Sequence, residues 1–478
     1  MKIRHPQSTA QGSVLIVTLL TALIIGFALA GYLSLVSSQN VTTMRSLAWN
    51  SAVPILEAGV EEALTQLRYR GITNLTADGW APTSTPYGNG YLKQRILGES
   101  RYEVVIIVPP MSPPNTPKIY STGFVPAPLA PGSTLGMILG QVAYGACQDG
   151  SANHVIRRRV LVDTKKQRTF CGAMVAEGQI NLKGMNIATD SFNSMTSTGH
   201  TYPDPVAHPD QVGDQGDIAT NSGLISSLNM GNADIMGHVS TGPGGTIAIG
   251  PGGTAGSKPW VQSGHNGQIE PKWSSDDMNV DFPSIEIPTT TSSVAYGNWM
   301  VDKKVYNFVL GSGSYEVFGP KGLTGNVLIQ TNANVVLYVP FGSSLSFSAD
   351  QKIVIAPGAT LKLFVGCQTA TWTGESGIDN QNVSSPITHD IGALHFQYYG
   401  LPTNKIISMT GNAAFTGVIY APDANLALGG SGKAEYDLVG STVTQTVTLN
   451  GHMNFHYDEA LKEWGPDLGY VVTAWNEV

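Results

Sequence analysis

The chain has 478 residues, more than one ordinary domain needs, and a formal charge of -8 from 26 basic and 34 acidic residues. That acidity excludes the basic footprint of a nucleic-acid-binding protein. Only 13% of residues are charged, with 55 Gly and 28 Pro, against a usual charged share of about a quarter, which suits an exported β-rich protein. Three cysteines, Cys147, Cys171 and Cys367, are too few and too scattered for a metal ribbon or a disulfide framework. Cys147 and Cys171 either pair in an oxidising compartment or stay as buried thiols.

Residues 13–36, SVLIVTLLTALIIGFALAGYLSLV, are apolar and uncharged. At about 1.5 Å per residue, a helix of this length crosses the roughly 30 Å hydrocarbon layer of a bilayer. Lys2, Arg4 and His5 precede it without an acid, which puts the N-terminus on the cytoplasmic side and the body outside. Three readings compete. A secretory signal ends at Ala28-Leu29-Ala30, a small-x-small cleavage site. A plain anchor stops near Val36. In the third, the helix continues: Leu56, Val60, Ala63, Leu64 and Leu67 recur at helical spacing, with Glu57, Glu61, Glu62 and Arg68 mostly elsewhere. Pro54 is expected to kink it by removing an i−4 hydrogen bond.

A short basic leader ending in Gly12, an uncharged apolar helix and an amphipathic continuation resemble type IV prepilins and pseudopilins. Residues 47–67, LAWNSAVPILEAGVEEALTQL, look like the corresponding segment of minor pilins of the PilX kind. The resemblance implies a leader over 1–12, cut by prepilin peptidase between Gly12 and Ser13. It also implies a pilin-like helix over 13–70, in which Leu15, Val17, Leu19, Leu20, Leu23, Ile24 and Phe27 pack against sister helices or lipid. Two positions depart from the pattern. The family usually has Phe or Met first and Glu fifth, where this chain has Ser13 and Val17. That Glu is thought to neutralise a neighbour's terminal amine, and a buried amine without a partner is costly. Val17 therefore implies a minor, tip or rarely incorporated subunit, or a helix that only anchors.

Residues 71–94 read as a loop with turns. Short β runs follow at 101–108 (RYEVVIIV), 118–125 (KIYSTGFV) and 157–163 (RRRVLVD). Tyr-x-Val, "STG" and R-x-V-x-V strands are likewise similar to those of PilX-type proteins. Between them, 126–153 reads as an inserted Gly/Pro/Ala-rich loop. Arg157, Arg158 and Arg159 read as strand residues with alternate side chains solvated, the alternative being a patch for an acidic partner.

From 170 onward the texture changes to β runs of about five residues separated by Gly, Asn or Asp turns. The clearest are NVLIQT, NVVLYV, SLSFS, KIVIA and TLKLFV within 325–366. Stacked coils that hide one apolar face on the next produce this pattern. Asn332 and Asn334 are expected at turns with positive φ, which Asn tolerates. This region also resembles a poorly characterised domain found behind PilX-like N-termini in bacterial surface proteins. The matching residues are Phe170 and Ala173, 189–194 (TDSFNS), 415–424 (FTGVIYAPDA), 430–432 (GSG) and 456–461 (HYDEAL). The resemblance implies no activity.

Asp190, Asp204, Asp210, Asp214 and Asp217 form a loose acidic series with His200 and His208, and Asp276, Asp277 and Asp281 form another. Glycoside hydrolysis needs two carboxyls about 5 to 9.5 Å apart, and turn-capping is the plainer role. Residues 201–217 lack the ordered ligand spacing of a calcium loop. His452 and His456, with Asp458 and Glu459 following, suit either a metal or a closing cap whose acids open a short helix at 460–464. The glycosylation triplets at Asn40, Asn74 and Asn382 mean little in a bacterial context.

The expected fold is mainly β with a long N-terminal α-helix and a C-terminal parallel β-helix-like solenoid, with a β-sandwich as the alternative. The expected domains are a leader (1–12), a helix (13–70), a small β region (71–169) and a capped solenoid (170–478). The expected function is structural and non-enzymatic, without cofactor or metal: a minor pilin-like component of a type IV pilus or type II secretion-type filament. It would be a single-pass protein of the bacterial inner membrane with its body outside, meeting prepilin peptidase, other pilin or pseudopilin subunits and a surface ligand. The alternatives are a carbohydrate-active β-helix enzyme and a plain anchored adhesin.

Overall fold

The computed structural model describes residues 11–108, 116–127, 155–184, 187–196, 202–203, 205–382, 391–411, 415–429, 436–451 and 453–478. The chain divides into two compact units, 1–167 with 469–478, and 168–468. The last ten residues, expected at the end of the solenoid, thus return to the first unit. The expected leader 1–12 lies almost wholly outside the described residues, as does most of the loop 126–153.

In the first unit, α1 (Gln11–Tyr69) is one helix with Pro54 inside it. It packs on an antiparallel meander of β1 (Ala81–Thr85), β2 (Gly88–Leu97), β3 (Ser100–Ile107), β4 (Lys118–Pro126) and β5 (Val155–Arg168), with the terminal strand Asp467–Glu477 beside β5. The hairpin β1–β2 corrects the loop reading of 71–94. Its Pro-, Thr- and Gly-rich residues lack an apolar pattern because they form an edge, mostly exposed.

The amphipathic half of α1 buries Ala52, Leu56, Val60, Ala63 and Leu67 against Tyr102, Val104, Ile106, Ile119, Val160 and Val162. Each buried Leu or Val stabilises by about 1.5–3 kcal/mol relative to exposure. Leu64 is only half-buried. Three small residues set the approach distance. A Cβ on Gly123 would lie 2.6 Å from the Ala52 carbonyl oxygen and 2.9 Å from the Leu56 nitrogen; one on Gly59 would lie 2.6 Å from Ser121 Oγ. Between them, the Ser121 hydroxyl donates to the Leu56 carbonyl at 2.8 Å. The "STG" of β4 is therefore the seat of the helix. Gly123→Val is expected to destabilise this unit by about 1–3 kcal/mol through overpacking, seen as a lower thermal midpoint and faster amide exchange along 52–67.

The second unit is a stack of coils joined by parallel ladders, the reverse of a sandwich's antiparallel sheets. Asn334–Val339 pairs with Thr360–Val365, and that strand with Phe396–Gly400. Leu345–Phe347 pairs with Thr369–Gly374, and Val327–Ile329 with Lys352–Ile355. Side chains alternate: Val335, Leu337 and Val339 point into the core over Leu361, Leu363 and Val365, while Asn334 and Lys362 face out. Asn332 sits at a turn with φ 58°. Asn334, expected at such a turn, instead opens its strand and accepts from Thr360 Oγ1 at 2.7 Å.

The coils do not stack in chain order. The first coil, with Met174–Ala176, Ile180–Leu182 and Ile187–Phe192, lies in the middle. On one side come Ile218–Thr220 and then Val239–Ser240 and Ser274–Ser275. On the other side lies the last coil, Tyr436–Asn450 with Met453–Asp458. Residues 276–291 run along the stack from the one end to the other. Met278 N donates to Thr241 O and Val280 N to Asn221 Oδ1; Tyr420 Oη donates to Pro283 O at 2.7 Å and Thr291 N to Ser314 O. The coil of Thr241 and the coil of Ser314 are about eight strand spacings of 4.8 Å apart. The stretch from Met278 to Thr291, at about 3.3 Å per residue, reaches that far only when extended.

Candidate functional site

The residues singled out in the N-terminal helix all lie on α1, and no described residue covers those from Leu15 to Phe27. Leu15, Val17, Leu19, Leu20, Leu23, Ile24 and Phe27 are exposed, Leu15 and Phe27 to 71% each. Together with Val14, Ile25 and Leu29, also exposed, they point all round the helix rather than to one stripe. A helix apolar on every side belongs in a membrane or inside a bundle. Thr18 and Thr21 return their hydroxyls to the carbonyls of Val14, Leu15, Val17 and Thr18, which leaves no side-chain donor facing outward there. The helix is a candidate single membrane span by length and composition, a description that an N-terminal signal sequence also meets. The Gly12–Ser13 bond lies in its first described turn.

The docked half is tied down by polar groups the sequence reading did not find. Glu62 accepts from Tyr102 Oη at 2.5 Å and Arg95 Nε at 2.8 Å, with Lys93 Nζ 3.2 Å away. Burial raises the Glu62 carboxyl, but the hydrogen bonds from Arg95, Tyr102 and Lys93 outweigh it and hold the group below its ordinary range. The Tyr102 hydroxyl is pushed up, by burial first and then by Glu62. Nearer the apolar end, Arg158 lies over the Trp49 ring at 5.0 Å and forks onto Glu477 at 2.7 and 2.8 Å. That fork joins α1, β5 and the terminal strand. Of the three consecutive arginines, Arg158 is thus a structural clamp.

In the second unit, residues 189–194 and 456–461 come together across the contact between the first and last coils. Asp190 pairs in register with His456, and Asp458 with Phe192. His456 Nδ1 lies 2.5 Å from Asp190 Oδ1; Tyr202 Oη donates to Asp190 Oδ2 at 2.6 Å and stacks on the imidazole with centroids 3.4 Å apart. Ser191 Oγ donates to Glu459 Oε1, and Asp458 Oδ1 accepts from Ser194 N and Ala460 N. Asp458 caps the short 3-10 helix Glu459–Glu463, the expected closing segment, and burial raises its carboxyl. Tyr457 Oη donates to Phe170 O, and Tyr420 of the 415–424 motif holds the extended strap. These motif residues therefore join coils.

Other members of the acidic series are spent locally. Asp214 accepts from Lys258 N at 3.2 Å, and Asp217 from His238 N at 2.7 Å. Asp217 is raised by burial, which the His238 contacts only partly offset. His200, Asp204, His452 and Cys147 lie outside the described residues. Among the described residues, no group of three or more His, Cys, Asp or Glu is placed to hold a metal. Cys367 is buried and its thiol pushed up to about 11 by that burial.

Three outcomes follow. Because the folded Glu62 carboxyl lies below its unfolded value, its stabilisation is complete above the ordinary carboxylate range near 4.5 and is lost as pH falls through the depressed folded value. Glu62→Gln is expected to flatten that acid limb, measured as the difference between variant and parent unfolding midpoints across pH 3–6. Asp190→Ala removes the shared acceptor of His456 and Tyr202 and is expected to cost about 1–3 kcal/mol in urea unfolding. Asp276→Ala, at an exposed site, is expected to stay within about 0.5 kcal/mol.

Residues 291–464 match the model of a domain of unknown function (DUF7305). No curated protein and no solved structure matches the chain.

Proposed function

We propose that the protein is a non-enzymatic, minor pilin-like subunit, held in the bacterial inner membrane by α1, that displays the solenoid outside the cytoplasm. The observation that carries this reading is one helix with two surfaces. Its first half is apolar all round and uncovered; its second half is seated on an antiparallel meander through Gly59, Ser121 and Gly123. Exposing each of those Leu, Ile and Val side chains to water forfeits about 1.5–3 kcal/mol, so the free half calls for lipid or sister helices. The basic leader, Gly12 and the Tyr-x-Val and STG strands support a pilin-like processing route with prepilin peptidase and other pilin or pseudopilin subunits as partners. Val17, in place of the family's acid, supports a minor or tip position, because it offers no counter-charge to a neighbour's terminal amine.

Sequencing the N-terminus of the membrane-extracted protein is the test. Ser13 as the first residue is the expected outcome. Gly31 as the first residue indicates a cleaved signal, and an intact Met1 a plain anchor; either overturns the pilin-like reading.

A further inference from the structure

One sheet of the solenoid presents a long uncharged face. Thr371 pairs with Ser346 on one side and Ser408 on the other; beyond Ala427 the column continues through Thr448, Asn181 and Asn229. All are exposed or half-exposed. The adjacent inward column of Leu345, Ala370, Ile407, Leu426, Val447 and Ile180 is buried. Short hydroxyl and amide groups thus stand about 4.8 Å apart on a rigid, parallel-paired surface. The neighbouring sheet carries Glu316 and Lys362 outward instead.

At one side of the column lies a cleft of about 420 Å³ lined by Phe341, Ser343, Ser344, Ser346, Gln368 and Thr369, among others. Phe341 is 70% exposed, an apolar ring open to solvent among the described residues. The Ser343 hydroxyl is buried and makes no hydrogen bond among the described residues. Thr371 Oγ1 donates to Ser346 Oγ at 3.1 Å, which holds the two rows in register.

We propose that this face binds a neutral polysaccharide, with the cleft beside Phe341 as its anchoring point. Hydroxyls and carboxamides both donate and accept, as a sugar's hydroxyls do, and an exposed aromatic ring supplies the flat apolar surface on which a pyranose face lies. A polyanion would need cations that this column lacks. The proposal gives a ligand class to the displayed solenoid and rests on that reading for its biological setting. The binding is measured without it, so failure of one does not imply failure of the other.

The test uses the full-length chain in detergent micelles, sedimented with microcrystalline cellulose, with chitin powder, or in parallel with immobilised polygalacturonate. Retention on cellulose or chitin, unchanged by about 0.5 M salt, is the expected result, since no long-range charge is involved. Phe341→Ala and Thr371→Lys are each expected to weaken it roughly tenfold, about 1.4 kcal/mol, while Lys362→Ala on the neighbouring sheet leaves it unchanged. Circular dichroism establishes that each variant is folded, and Thr448→Lys replaces Thr371→Lys if the latter unfolds. No retention on either neutral polymer overturns the proposal, as does undiminished binding by the folded lysine variants or salt-sensitive binding to polygalacturonate alone.

Discussion

The parallel pairing of the last coil on the first is the contact on which the rest of the second unit depends. Tyr436–Asn450 and Met453–Asp458 lie against Met174–Ala176, Ile180–Leu182 and Ile187–Phe192. That pairing makes one continuous stack from two runs of coils that wind outward from, and back to, the middle. It also draws the ends of the unit together: Thr169 Oγ1 donates to Pro466 O, and Gly465 packs on the Phe170 ring. A unit whose ends meet can be inserted between neighbouring strands of another sheet without stretching it. That is where this one sits in the chain, between β5 and the terminal strand.

Such a seam has to be specific, because parallel strands of any two coils pair about equally well through their backbones. Side chains supply the choice. Asp190 with His456, Ser191 with Glu459, and Ser194 with Asp458 join groups across this pairing. A buried polar group without its partner costs about 1–3 kcal/mol, so a slipped register loses several such terms together. The strap 276–291 acts on the same problem at longer range. Its hydrogen bonds to Thr241, Asn221, Tyr420 and Ser314 fix which coil lies at which height.

The first unit solves a different problem, that of one helix with two different surfaces. Gly59 and Gly123 let the backbone of α1 approach β4, and Glu62 and Arg158 tie its flank to the sheet. The uncovered half can then project as a rigid continuation. Docking is set by shape and by a few charged hydrogen bonds, whereas the projecting half depends only on being apolar on all sides.

Much of this was legible in the chain. Hydrophobic period alone located α1, its apolar and amphipathic halves, β3 to β5 and nearly every coil strand between 325 and 366, since periodicity is a local property of which face is buried. The edge hairpin β1–β2 was not legible, because edge strands bury too little to leave a pattern. Asn334 was misplaced because a residue that suits a turn also suits the first position of a strand. The order of the coils was invisible, as strands of similar length and composition carry no local record of their neighbours. The residues of the 189–194 and 456–461 motifs stood out in the sequence, but their roles did not. A carboxylate and an imidazole some 266 positions apart acquire a shared meaning only when stacking brings their coils into contact. Local burial pattern is written residue by residue; pairing between distant coils is decided by the free energy of the whole stack.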